Sequence, residues 1–195
     1  MFSDQYNKMR KTLEKYLDHD RFVHTLGVAN TAVSLAMVYD TDLGRAYTAG
    51  LLHDCAKCIP NKERLKLCAK WDIPVKKLEE KNLGLLHGKM GAYLAREKYK
   101  VDDEEILSAI ACHTVGKPDM TMLEKILFVS DYIEPNRDRA ENLLYIRKTA
   151  FHDIDFAVLL ITEGKLDYLK RSGRGEIDPE TEEVHRFYQK LREGK

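Results

Sequence analysis

The sequence predicts an all-α fold, and two observations support it. Apolar residues recur at helical spacing in nearly every segment, while no strand-like alternation persists. Histidines and aspartates interrupt these apolar runs at several separate places, as in a helical bundle with a polar site in its core. At 195 residues the chain is long enough for one domain with a sizeable core, spanning residues 1–195.

The elements follow in order. Ser3 is placed to cap a first amphipathic helix through Met9, Leu13 and Leu17. Asp20 is the expected cap of a second, buried along Phe22, Leu26, Ala29, Val33 and Met37, with His24 in its first turn. After the polar break 39–42, a third helix runs through Ala46, Ala49 and Leu52 to Lys57. Pro60 and Asn61 open a short helix ending near Trp71, and Pro74 opens another piece. This least apolar stretch reads as a mobile lid. The next helix carries Leu85-Leu86-His87-Gly88 and continues past Gly91. Acidic residues 102–105 favour the start of a helix ending at Cys112-His113-Thr114. Met122, Ile126, Leu127 and Val129 form the apolar face of the helix that delivers Asp131. A turn over 133–137, a long helix from about Ile154 to Leu169, a break at 172–175 and a final helix over 182–191 complete the chain.

Composition is that of an ordinary soluble protein, 44% hydrophobic and 33% charged. The formal net charge of +0 argues against bulk electrostatic binding to nucleic acid or membrane. No apolar run approaches a membrane span, and the start lacks signal-peptide regions, so a cytoplasmic protein is expected. Cys55 and Cys58 have metal or redox spacing, but Cys68 and Cys112 supply no second pair and no strand precedes them. They read as small buried hydrophobes.

The stretch around Leu51-Leu52-His53-Asp54 puts an imidazole and a carboxylate beside buried leucines, which is costly unless both are satisfied. His24, His87, His113 and Asp131 stand in or at the end of other apolar helices. Any one histidine could be satisfied by a carbonyl. Six such groups buried without a shared role would be destabilising. Four histidines and two carboxylates suit one or two transition-metal ions. His19, His152 and His185 lie in charged surroundings and read as surface residues.

The ordered pattern His…His-Asp…His…His…Asp resembles the HD superfamily of metal-dependent phosphohydrolases. The segments 21–28, 51–57, 86–94, 109–114 and Asp131-Tyr132-Ile133-Glu134-Pro135-Asn136-Arg137 look like the bacterial YqeK family, which hydrolyses diadenosine tetraphosphate symmetrically to two ADP. The resemblance is dense over about residues 20 to 140. It implies an HD-type helical bundle. His24, His53, Asp54 and Asp131 would hold a first metal. His87 and His113 would complete a second site with Asp54 bridging, or contact substrate phosphate. Two such ions clamp a phosphoryl group and acidify a shared water. Iron is the first expectation, with manganese or cobalt as alternatives. Lys57 and Arg137 would neutralise phosphate charge beside Asp54, and Gly27 would let substrate approach the helix. Thr114 and the stretch Glu176, Ile177, Asp178, Pro179, Glu180 and Thr181 would hold one ADP moiety. In that stretch the family's proline-aspartate-threonine is here Pro179-Glu180-Thr181.

The expected partner is a dinucleoside polyphosphate, with a homodimer open as an assembly. Two other readings remain: an HD phosphohydrolase acting on a mono-, tri- or cyclic nucleotide, and a non-catalytic nucleotide-binding module.

Overall fold

The computed structural model describes residues 4–138, 142–172 and 178–194; Ser3, Glu176 and Ile177 lie outside them. Among the described residues there are eleven α-helices and no strand. They are α1 (Asp4–Tyr16), α2 (His19–Val38), α3 (Leu43–Leu52), α4 (Asn61–Lys70), α5 (Lys77–Lys81), α6 (His87–Glu97), α7 (Glu104–Cys112), α8 (Met122–Ile133), α9 (Leu143–Ala150), α10 (Ile154–Ser172) and α11 (Pro179–Glu193). A 3-10 turn, Leu83–Leu86, precedes α6. No described helix is long and apolar enough to cross a membrane.

Helices α2, α3, α7 and α8 pack around the main core, which includes Val28, Leu35, Leu51, Leu52, Ile110, Ile126 and Leu127. α2 and α3 approach closely at Gly50, where a Cβ would lie 2.6 Å from Ala29 Cα. Any larger residue there would push the two helices apart. α8 starts from a capping box in which Thr121 accepts from the Glu124 amide and Glu124 accepts from the Thr121 amide.

Several boundaries differ from those the sequence suggests. The cap of α2 is Asp18, whose carboxylate accepts from the Arg21 amide at 2.8 Å; Asp20 lies in the first turn. That start puts His24 in the second turn. The buried stripe is Val28, Ala29, Ala32, Leu35 and Ala36, leaving Met37 exposed. α3 stops at Leu52 rather than Lys57, and residues 53–59 fold as successive turns. α6 begins at His87, because the 3-10 turn ends the preceding stretch. α11 begins at Pro179, with Asp178 as its cap and proline in the first turn, where a missing N–H costs nothing. α9 had no clear signal in the sequence.

The expected lid is docked. Cys68 is buried with Ile59, Leu86 and Met90 in a second apolar cluster, and Trp71 stacks on Tyr93 at 4.5 Å between centroids.

Candidate metal centre

All six expected ligands converge. His53, the helical C-cap of α3, and Asp54 occupy the turn just after that helix, and their side chains face the same point. α2 supplies His24, the first residue of α6 is His87, His113 follows α7, and Asp131 lies in the last turn of α8. His53, Asp54, His87 and His113 are almost fully buried. Donor atoms of His24, His53 and Asp131 lie within 4.8 Å of one another, as do those of His53, Asp54 and His113.

Asp54 stands between the histidine pairs. Its Oδ2 is 3.5 Å from His53 Nε2 and 3.9 Å from His24 Nε2. Its Oδ1 is 3.2 Å from His87 Nε2 and 3.8 Å from His113 Nε2. Asp131 Oδ1 lies 3.1 Å from His24 Nε2 and 3.9 Å from His53 Nε2.

The other nitrogen of each imidazole fixes its tautomer. Nδ1 of His53 donates to Gly50 O at 2.7 Å, that of His87 to Gly84 O at 2.6 Å and that of His113 to Ile110 O at 2.7 Å. Carbonyls only accept, so these three rings present Nε2 lone pairs to the cluster. His24 Nδ1 instead donates to Glu134 Oε1 at 3.2 Å. This carboxylate is buried and sits over Gly27, where a Cβ would lie 2.4 Å from Oε2. The space above Gly27 is therefore filled by Glu134, not left open as expected for substrate.

The electrostatics follow from this crowding. Burial pushes His113 down to about 3, with His87 and His53 adding to the effect, and burial also lowers His53. Burial pulls on His24 too, but the hydrogen bond and charge of Asp131, with Glu134 and Asp54, outweigh it and raise its pKa. Burial opposes ionisation of Asp54, yet His53, His87, Lys57 and His113 hold its carboxyl well below the usual range. Asp131 is depressed in the same way, against its burial, by His24, His53 and His113.

These residues fit a metal. Asp54 Oδ1 is buried without a hydrogen-bond donor among the described residues, and the Nε2 atoms beside it offer lone pairs. A cation satisfies both kinds of group and displaces any proton held on His24 Nε2. The donor set, imidazole with carboxylate, is that of first-row transition ions.

Charged side chains ring the cluster. Lys57 Nζ lies 3.2 Å from His87 Nε2 and 3.9 Å from Asp54 Oδ1. Arg137 donates from one Nη to Asp131 O at 2.7 Å and Oδ1 at 3.1 Å, leaving Nε without an acceptor. Arg21, which sequence reasoning passed over, reaches Asp54 Oδ2 at 2.7 Å. Its place three residues before His24 on one helix face was the available signal.

Two further arginines brace the backbone. Buried Arg64 donates to the carbonyls of Lys57, Ile59, Leu83 and Gly84, tying the turn after His53-Asp54 to the turn before His87. Arg147 of α9 donates to those of Ile133, Glu134 and Arg137.

Two adjoining cavities, of about 430 and 610 Å³, meet at Thr114, Leu85 and Asp178. Thr114 Oγ1 lies 3.1 Å from His87 Nε2 and 3.3 Å from His113 Nε2, so both open beside the cluster. Thr181 lines the smaller, while Pro179 and Glu180 line the larger. Glu180 pairs with Lys76 across from α11.

The HD domain model matches residues 21–136, which hold every one of the six clustered side chains. The chain belongs to the HD domain family. Among relatives of this HD protein, the symmetrical bis(5'-nucleosyl)-tetraphosphatase of Bacillus subtilis strain 168 is 37% identical, covering 83% of this chain and 86% of its own. The protein of the same name from Halalkalibacterium halodurans is 34% identical over 89% and 91%. A solved structure from Clostridium acetobutylicum, described as a predicted HD superfamily hydrolase involved in NAD metabolism, superposes with a TM-score of 0.91. It is 36% identical and covers 98% of this HD chain and 99% of its own. The cysteines of the HD chain are all free, Cys55 buried with its thiol 3.5 Å from Gly91 O.

Proposed function

We propose that this HD protein is a metal-dependent hydrolase that cleaves diadenosine tetraphosphate symmetrically to two ADP. The observation that supports it most is Asp54, with one oxygen toward His24 and His53 and the other toward His87 and His113. The names of the relatives supply the substrate class.

In this reading His24, His53, Asp54 and Asp131 would hold one ion, and His87 and His113, with Asp54, would hold a second. Iron is favoured, with manganese or cobalt as alternatives. Such ions polarise a phosphoryl oxygen and lower the pKa of a coordinated water. The remaining residues bind and orient. Lys57 and Arg137 neutralise phosphate charge, the arginine through donors not already used on Asp131. Thr114 and the start of α11, Asp178 to Thr181, form the wall against which one nucleotide end rests. Expected contacts at Glu176 and Ile177 fall outside the described residues. Where that end is anchored decides which phosphorus lies over the cluster. The reading carries with it a cytoplasmic setting and a nucleotide partner rather than nucleic acid or membrane, in line with the net charge of +0.

The test is turnover by the metal-loaded protein of diadenosine tetraphosphate against mono-, tri- and cyclic nucleotides at equal concentration. Preference for the dinucleotide supports the reading. Preference for any of the others assigns a different HD substrate.

A further inference from the structure

Lys165 lies outside the ligand cluster and outside every motif read from the sequence. α10 turns it into the smaller cavity together with Tyr168 and Leu169, three and four residues on, so one helix face lines that wall. Leu78, Leu85 and Val115 make the opposite lining apolar, suited to a nucleoside. Lys165 is linked to the metal centre through Thr114, which lines the same cavity. Its Nζ donates to Thr114 O at 3.0 Å, and the Thr114 hydroxyl touches His87 and His113.

The lysine is poorly compensated. It lies 4.2 Å from the Phe128 ring centroid and has no carboxylate partner among the described residues. Two of its three N–H groups therefore have no protein acceptor there. Burial pushes its pKa down to about 8, against the attraction of Asp131 and with Arg137 adding to the fall. A half-buried cation with no carboxylate in direct contact weakens the fold unless something anionic arrives.

We infer that Lys165 is a phosphate-binding residue, contacting the phosphate chain of a nucleotide whose nucleoside end occupies the cavity between α10, α11 and the 3-10 turn. This rests on the proposed function for the class of ligand, a nucleoside with a polyphosphate chain. It adds a positive contact between the nucleoside end and the metals, and with it a determinant of how far the chain advances over the cluster.

The test measures binding of ADP and of adenosine by calorimetry to the metal-loaded protein, its Lys165→Met variant and its Lys165→Arg variant, with thermal melts of all three. The methionine keeps the apolar stem and removes the charge. The expected result is a loss of about tenfold or more in ADP affinity in Lys165→Met. Adenosine affinity should be unchanged, the melting temperature equal or higher, and ADP binding partly restored in Lys165→Arg. Equal weakening for ADP and adenosine, or unchanged ADP affinity, overturns the inference in favour of a purely structural lysine. A wild-type protein that binds ADP no better than adenosine overturns it as well. Should Lys165→Met not fold, Lys165→Gln is read by the same criteria. Wild-type protein that binds ADP through Lys165 but leaves diadenosine tetraphosphate intact would sink the proposed reaction and not this contact.

Discussion

Gly27 and Glu134 are fitted to each other: a Cβ on the glycine would lie 2.4 Å from Oε2 of the glutamate. Its other oxygen accepts from His24 Nδ1 at 3.2 Å. The side chain absent at one position of α2 thus lets a carboxylate orient the histidine three residues earlier.

Gly27→Ala should therefore act through His24. Overpacking of this kind costs about 1–3 kcal/mol. Loss of an outer partner to a ligating histidine typically lowers metal affinity by about 10–100-fold. Chelator competition on the variant measures it. Unchanged metal affinity would show that Glu134 does not hold His24.

Metal-free protein should lose stability on acidification. His53 and His113 have folded pKa values below the ordinary 6.5, that of His113 at about 3. Below pH 6.5 the unfolded chain takes up protons that these buried rings refuse. Their contribution is complete above 6.5 and is lost as pH falls, by up to about 1.4 kcal/mol per unit for each ring. Asp54 and Asp131, depressed from 3.8, keep their contribution until pH falls below that value. His24, being raised, contributes below 6.5 and loses its share as pH rises through its folded value. Melting temperatures in chelator at pH 6.5 and 5 should fall clearly between the two; equal values would contradict the buried-neutral assignment.

Much of this centre was legible in the sequence because its ligands interrupt apolar runs. A histidine or aspartate among leucines and alanines is conspicuous, and four histidines and two aspartates, in order, match one family. The supports were not legible. Arg64 and Arg147 bind carbonyls, and nothing in their local sequence distinguishes them from solvated arginines. Lys165 sits in a helix of mixed character, and its place beside Thr114 depends on how α10 packs. Helix ends were misplaced where turns take over from regular structure. The clearest case is His53-Asp54: the sequence runs on in helical style to Lys57, but α3 ends at Leu52 and successive turns carry the chain through 53–59.

If Arg137 binds phosphate as proposed, Arg137→Lys should impair hydrolysis by about tenfold or more in kcat/KM, since a planar guanidinium that also holds Asp131 is replaced by a point charge. Arg137→Ala should be worse, with kcat/KM compared at saturating metal because Asp131 also loses this donor. Unaltered kinetics in the alanine variant would reduce Arg137 to a brace for Asp131.

The central claim, attack on the second phosphorus from an anchored adenosine, is tested most directly by the early products of diadenosine tetraphosphate hydrolysis in heavy-oxygen water, separated by chromatography and weighed. The account predicts ADP alone, with one molecule of each pair labelled on its terminal phosphate. AMP together with ATP would contradict it.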